Sequence, residues 1–139
     1  MSHNCRNILV RCMDFRLHEA IEKWLVIHSY VGDIDLVSVA GACKTFVADP
    51  DSVEAGFLFR QIELSHELHG SNRVILTQHE DCGAYGGTAA FASTEDAKKY
   101  LVDDMRKLKE KISAKWHGMD VQMLWIYQKD GGWDFEEVS

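Results

Sequence analysis

The sequence predicts an α/β fold with a mainly parallel central β-sheet flanked by helices. Two observations carry this. Apolar runs of strand length alternate with stretches whose apolar residues recur at helical spacing, in the order β-α-β-α-β-α-β. Polar, metal-capable residues also gather directly after two of the apolar runs, where open parallel sheets bind ligands. A chain of 139 residues suits one domain spanning 1–139.

Asn7 to Val10 (Asn-Ile-Leu-Val) reads as a buried strand that ends at Arg11-Cys12-Met13-Asp14. Leu17, Ile21, Trp24, Leu25 and His28 then fall at helical spacing, with Gly32 as a stop. Asp35 to Ala40 is the second strand and runs into a turn at Gly41-Ala42-Cys43-Lys44. Asp49-Pro50 has the form of a helix start, Asp as N-cap and Pro at the first helical position. Val53, Phe57, Leu58, Ile62, Leu64 and Leu68 supply that helix's apolar positions, and Gly70 ends it. Arg73 to Gln78 is the clearest strand and delivers His79-Glu80-Asp81-Cys82-Gly83 at its C-terminal end. A capping pattern at Ser93 to Asp96 opens a long amphipathic helix with Tyr100, Leu101, Met105, Leu108 and Ile112 on its core face. Val121 to Tyr127 is a last apolar strand. The turn signal Lys129-Asp130-Gly131-Gly132 then folds Trp133 to Val138 back as a hairpin arm.

The formal net charge of -7 argues against a nucleic-acid partner. The positives Lys98-Lys99 and Arg106 to Lys111 are interleaved with Asp103, Asp104 and Glu110, as on a solvated helix face. No apolar run approaches the roughly 20 residues that cross a bilayer, so no membrane partner is expected. The first residues, Met1 to Arg11, lack the apolar run and cleavage site of a secretory leader. The expectation is a cytoplasmic protein whose four cysteines serve as thiols or metal ligands rather than disulfides.

Cys12, His79 and Cys82 are the candidate metal ligands. Two thiolates and an imidazole are a donor set zinc prefers, and His-x-x-Cys at a strand end lets both side chains meet at one point. Gly83 and Ala84 begin a turn whose backbone N–H groups can support a thiolate at Cys82. Three protein ligands leave a tetrahedral ion one open position, the mark of a catalytic site. A zinc-bound water ionising near pH ~7 would supply hydroxide as nucleophile. Two thiolates weaken the ion as a Lewis acid, however, so a further group must help that water lose its proton. Asp14 is placed to accept its hydrogen bond, with Arg16 two residues on to hold the carboxylate. A structural Asp14–Arg16 ion pair is the plainer alternative. Cys5 is read as a small buried hydrophobe. The remaining histidines, including His66 and His69, show no ligand spacing, and Trp24, Trp116 and Trp125 are assigned to the core.

Cys12-x-Asp14-x-Arg16 followed by His79-x-x-Cys82-Gly83 resembles the signature of the β-class carbonic anhydrases. Arg73 to His79, and Leu124 to Tyr127 with Lys129-Asp130-Gly131, are similar to that family's ligand-bearing strand and its closing strand and turn. The resemblance runs from about Ile8 to the C-terminus. It implies a β-carbonic-anhydrase-like fold, one Zn2+ per subunit on Cys12, His79 and Cys82, and reversible hydration of carbon dioxide to bicarbonate. It also implies that Asp14 and Arg16 form the dyad orienting the zinc-bound hydroxide. In some members the Asp takes the fourth zinc position, which makes Asp14 a candidate switch. The family builds its sites at subunit interfaces, implying a homodimer or larger homo-oligomer. Two other readings use the same residues: hydrolysis of carbon disulfide or carbonyl sulfide, and a non-catalytic zinc-binding protein closed by Asp14 or Cys43. The family's Arg-Asn-Ala-Gly after the second strand is Ser38-Val39-Ala40-Gly41 here, and Leu17 to Tyr30 is more helical than the family's loop.

Overall fold

The computed structural model describes residues 2–139. Five strands form one sheet in the order β2-β1-β3-β4-β5. These are β1 (Asn7–Arg11), β2 (Ile34–Ser38), β3 (Arg73–His79), β4 (Asp120–Lys129) and β5 (Gly132–Val138). The first four run parallel and β5 lies antiparallel on β4, so the expected topology holds, hairpin arm included. Four helices connect them: α1 (His18–Ile27), α2 (Lys44–Ala48), α3 (Val53–His69) and α4 (Thr94–Lys115). No helix among the described residues is long and apolar enough to cross a membrane.

The central strands carry the core because helices cover both faces of the sheet. Every residue of β1 is buried, and so are six of seven in β3. Ile8, Leu9 and Val10 pack beside Val74, Ile75 and Leu76, all at 1 % exposure or less. Burial on both faces is why these strands read as continuous apolar runs rather than alternating ones. The β4–β5 turn places Asp130 and Gly131 at φ 50° and 76°, the left-handed pair that a tight Asp-Gly hairpin requires.

Three expectations about the helices are corrected. Asp49-Pro50 does not start a helix. Lys44–Ala48 is already the short helix α2, and Asp49 ends it with extended backbone (φ -139°, ψ 90°). The following proline explains this, since its ring disfavours helical geometry in the residue before it. The true N-cap of α3 is Ser52, whose Oγ accepts from the Ala55 N–H at 3.1 Å and donates to the Asp49 carbonyl at 2.7 Å. The buried face of α3 is also rotated from the predicted one. Ala55, Leu58, Phe59, Ile62 and Ser65 face inward, while Val53, Phe57 and Leu68 are exposed. Small Ala55 and polar Ser65 hold positions that a count of large apolar residues passes over. In α4 the predicted face is right except for Tyr100, which is exposed.

Ser52→Ala should lower stability by about 1 kcal/mol in urea unfolding, the usual cost of a lost N-cap, and Asp49→Ala by no more than about half as much.

Candidate metal centre

Parallel pairing sets the C-terminal ends of β1 and β3 side by side, with Val10 opposite Leu76. Two residues beyond Val10 comes Cys12. Three beyond Leu76 comes His79, and the chain then turns back through Glu80-Asp81 to Cys82. One donor atom from each of Cys12, His79 and Cys82 lies within 4.8 Å of the others, and all three residues are buried. The two sulfurs are 4.0 Å apart. Bonds of about 2.3 Å to a tetrahedral zinc set two thiolates about 3.8 Å apart, so the pair already has nearly the right span.

The imidazole is oriented for the same point. His79 Nδ1 lies 2.8 Å from the Glu80 carbonyl, which can only accept, so Nδ1 carries the proton and Nε2 presents its lone pair. That Nε2 is buried with no hydrogen-bond partner. A buried acceptor left alone is costly, and a cation between it and the sulfurs removes the cost. The residues therefore fit a zinc ion.

The thiols point the same way. The Cys82 hydrogen bond pulls the Cys12 thiol well below the ordinary thiol range, and the same contact, with burial, pushes Cys82 up. Two sulfurs sharing one proton become two thiolates only when a cation joins them. The Gly83–Tyr85 turn follows Cys82 directly, and the backbone N–H groups of Ala84 and Tyr85, rather than the expected Gly83 and Ala84, favour its thiolate.

Asp14 stands at the edge of this cluster, its Oδ2 3.8 Å from His79 Nε2. It also caps the Phe15–Leu17 turn by accepting the Arg16 N–H at 2.9 Å. The Arg16 guanidinium grips both Asp14 oxygens, with Nη2 to Oδ2 at 2.7 Å and Nε to Oδ1 at 3.1 Å. These bonds hold the Asp14 carboxyl below the usual carboxylate range. The guanidinium then continues to Asp81, with Nη1 to Oδ2 at 3.1 Å and Nη2 to the backbone carbonyl at 2.9 Å, and lies over the Trp133 ring. An open cleft of about 660 Å³ is bounded by Cys12, Asp14, Phe15, Arg16, Ala40 and Gly87. A larger hollow of about 810 Å³ between α1 and the β4–β5 hairpin reaches the cluster's surroundings at Arg16 and at Trp133, whose ring meets His79 edge-on.

Cys43 does not join the cluster. Its side chain is fully buried in the core, its Sγ donates to the Thr77 carbonyl at 3.8 Å, and burial pushes its thiol up. The turn at Gly41 comes near the site, but the side chain two residues on points away from it. Trp24 and Trp125 are core residues, and Trp116 stacks on Phe59 at the edge.

Two site residues escaped the sequence reading. Asp81 sits between the two β3-side cluster residues in left-handed backbone (φ 58°), braces Arg16, and accepts the Thr88 N–H at 2.9 Å. Its only signal was a second carboxylate inside His-x-x-Cys. Arg11, buried at the end of β1, donates to the carbonyls of Cys12 (2.8 Å) and Asp14 (3.3 Å) and fixes that loop.

A family model described as "Putative carbonic anhydrase" matches residues 2–139. The chain belongs to that family. Its fold is shared with β-carbonic anhydrases of known structure. The carbonic anhydrase of Streptococcus mutans superposes with a TM-score of 0.67 at 19% identity, over 100% of this chain and 86% of that one. A β-carbonic anhydrase of Aspergillus fumigatus gives 0.65 at 8% identity, over 98% and 90%. One of the tetrameric β-carbonic anhydrases of Sordaria macrospora gives 0.58 at 12%, over 97% and 81%. Among curated proteins the chain is 28% identical over 104 residues to an uncharacterized protein of Rickettsia bellii, covering 75% of this chain and 56% of that protein. It is 30% identical over 78 residues to one of Rickettsia conorii, covering 56% and 42%. The chain thus spans about half the length of the curated relatives it matches.

Gly87 lies at φ 75°, and a Cβ there would come within 2.9 Å of Asp81 Oδ1. Gly87→Ala should therefore lower stability by about 1 kcal/mol or more, measured by denaturant unfolding, through backbone strain and displacement of Asp81.

Proposed function

We propose that this chain holds a zinc ion on Cys12, His79 and Cys82 and hydrates carbon dioxide reversibly to bicarbonate. The observation that carries the reading is the unpartnered His79 Nε2, which meets two sulfurs on one side and an arginine-braced carboxylate on the other. Family membership and fold support it. When bound, zinc lends Lewis acidity that lowers the pKa of a neighbouring water, though two thiolates moderate the effect.

The chain's own groups supply the rest. Asp14 Oδ2 accepts a hydrogen bond from the attacking water and so aims its lone pair at the substrate carbon. Arg16 keeps that carboxylate ionised at neutral pH, so it accepts a proton bond and does not donate one. Asp81 and Trp133 hold the guanidinium in turn. Asp14 lies outside the three-donor cluster and is turned onto Arg16, an arrangement that favours leaving the fourth position to solvent. Water and carbon dioxide give bicarbonate and one proton, which passes to solvent or buffer.

The partner is thus a small linear molecule in the cleft. We further propose a homodimer or larger assembly. Met13 and Phe15, at the cleft rim, are 62 % and 85 % exposed, and a second copy would cover them.

Carbon dioxide hydration by zinc-loaded protein, followed at neutral and alkaline pH, tests the reading. Cys82→Ser should lose the zinc of this site. Asp14→Asn should keep it while kcat falls by about 100-fold or more, the usual scale for a lost proton-handling group. Zinc without turnover at any pH would leave a zinc-binding protein, and turnover of carbon disulfide or carbonyl sulfide alone would move the activity to the hydrolase reading.

A further inference from the structure

At the opposite end of the sheet a second donor cluster forms from residues the proposed chemistry does not use. Cys5 lies just before β1, Asp35 is in β2, and His69 is the last residue of α3. One sulfur, one carboxylate oxygen and one imidazole nitrogen from these three lie within 4.8 Å of one another. The seven residues from Cys5 to Cys12, largely strand, separate the two clusters by about 20 Å at roughly 3.3 Å per residue. The sequence reading of Cys5 as a buried hydrophobe is therefore corrected. The residue is only half-buried, and its neighbours are polar.

We propose that Cys5, Asp35 and His69 form a second site for a divalent cation of the zinc class, independent of the first. The donor set suits it, because thiolate and carboxylate together neutralise a dication and a neutral imidazole adds a third bond. The carboxylate is held from behind. Ser65 Oγ donates to Asp35 Oδ2 at 2.7 Å and is itself 2.8 Å from Ser71 Oγ, and both serines are buried. Ligating carboxylates are normally oriented by such a partner. Backbone ties the other two residues together: the Cys5 N–H donates to the His69 carbonyl at 3.0 Å.

The electrostatic setting agrees. His69 sits on the last turn of a 17-residue helix, whose C-terminal carbonyls favour a cation. His69 Nδ1 and Asp35 Oδ2 are 2.7 Å apart across a shared proton. Replacing that proton by an ion with bonds of 2.0–2.1 Å opens the pair to about 3.3 Å at a tetrahedral angle, a movement well under 1 Å. All three residues are half-exposed, so an ion can enter and a water can complete its shell. The bound ion would tie the segment before β1 to the edge strand and to α3.

The zinc-loaded 139-residue chain, weighed by native mass spectrometry, should carry two ions per chain. Cys5→Ser and His69→Gln should each reduce the count from two to one, and so should Cys82→Ser through the other site. Zinc should still raise the melting temperature of Cys82→Ser protein but not of the Cys5→Ser/Cys82→Ser double variant. A single ion on the unaltered chain that Cys82→Ser removes would overturn the second site and leave the first standing. Two ions persisting in both folded Cys5→Ser and His69→Gln would overturn it as well, without reference to those substitutions' stability.

Discussion

Everything at the site depends on the parallel register of β1 against β3. Cys12 and the His79–Cys82 loop are 67 or more residues apart in sequence, yet their sulfurs come within 4.0 Å because Val10 pairs with Leu76. A slip of one residue would turn every following side chain to the other face. What prevents the slip is packing. The six apolar residues at the centre of these strands are almost wholly buried, and truncating one such side chain typically costs about 2–5 kcal/mol. Thr77 adds a specific lock, its Oγ1 donating across to the Val10 carbonyl at 2.8 Å. The hydrophobic core is thus what holds the sulfurs in place.

Around that register the charges form a chain that crosses between the two strand ends. Asp14 follows β1, Asp81 follows β3, and Arg16 bonds both. A single guanidinium therefore couples the carboxylate at the cleft to the loop carrying Cys82. The loop accepts left-handed backbone at Asp81 to make this possible, a conformation that disfavours most side chains by roughly 1–2 kcal/mol but is tolerated by Asp. The Thr88 N–H and the absence of a Cβ at Gly87 offset part of that strain. Removing water from the polar groups around Arg16 is tolerable because each finds a partner; Asn7 Oδ1, Gln78 Oε1 and His79 Nε2 are buried without one, and of these three it is His79 Nε2 that faces two sulfurs.

The sheet, its strand ends and the three soft donors were legible in the sequence because each leaves a local mark: an unbroken apolar run, a turn residue, a Cys or His at a strand end. Other features left none. Asp49-Pro50 is equally the grammar of a helix start and of a helix stop, and only the helix before it decides between them. The inward face of α3 was misread because Ala55 contributes too little apolar surface to register and Ser65 faces inward for a hydrogen bond. Cys43 follows the right turn, but side-chain direction after a turn depends on three-dimensional packing. The Arg16–Asp81 link joins residues 65 apart in sequence, and the Cys5–Asp35–His69 meeting involves three elements that no short motif connects.

The two ends of the sheet differ in burial, and that difference divides their chemistry. At the C-terminal end the three donors are at 5 % exposure or less, so charge among them is felt at low dielectric. A site of that kind can tune reactivity because little water competes with its hydrogen bonds. At the N-terminal end the donors are half-exposed and meet between segments, where solvent screens their charges. An ion there could brace the chain, but the setting lacks the carboxylate–guanidinium pair that stands beside the buried donors of the first cluster. The parallel sheet therefore separates the two proposed sites by the length of its central strands.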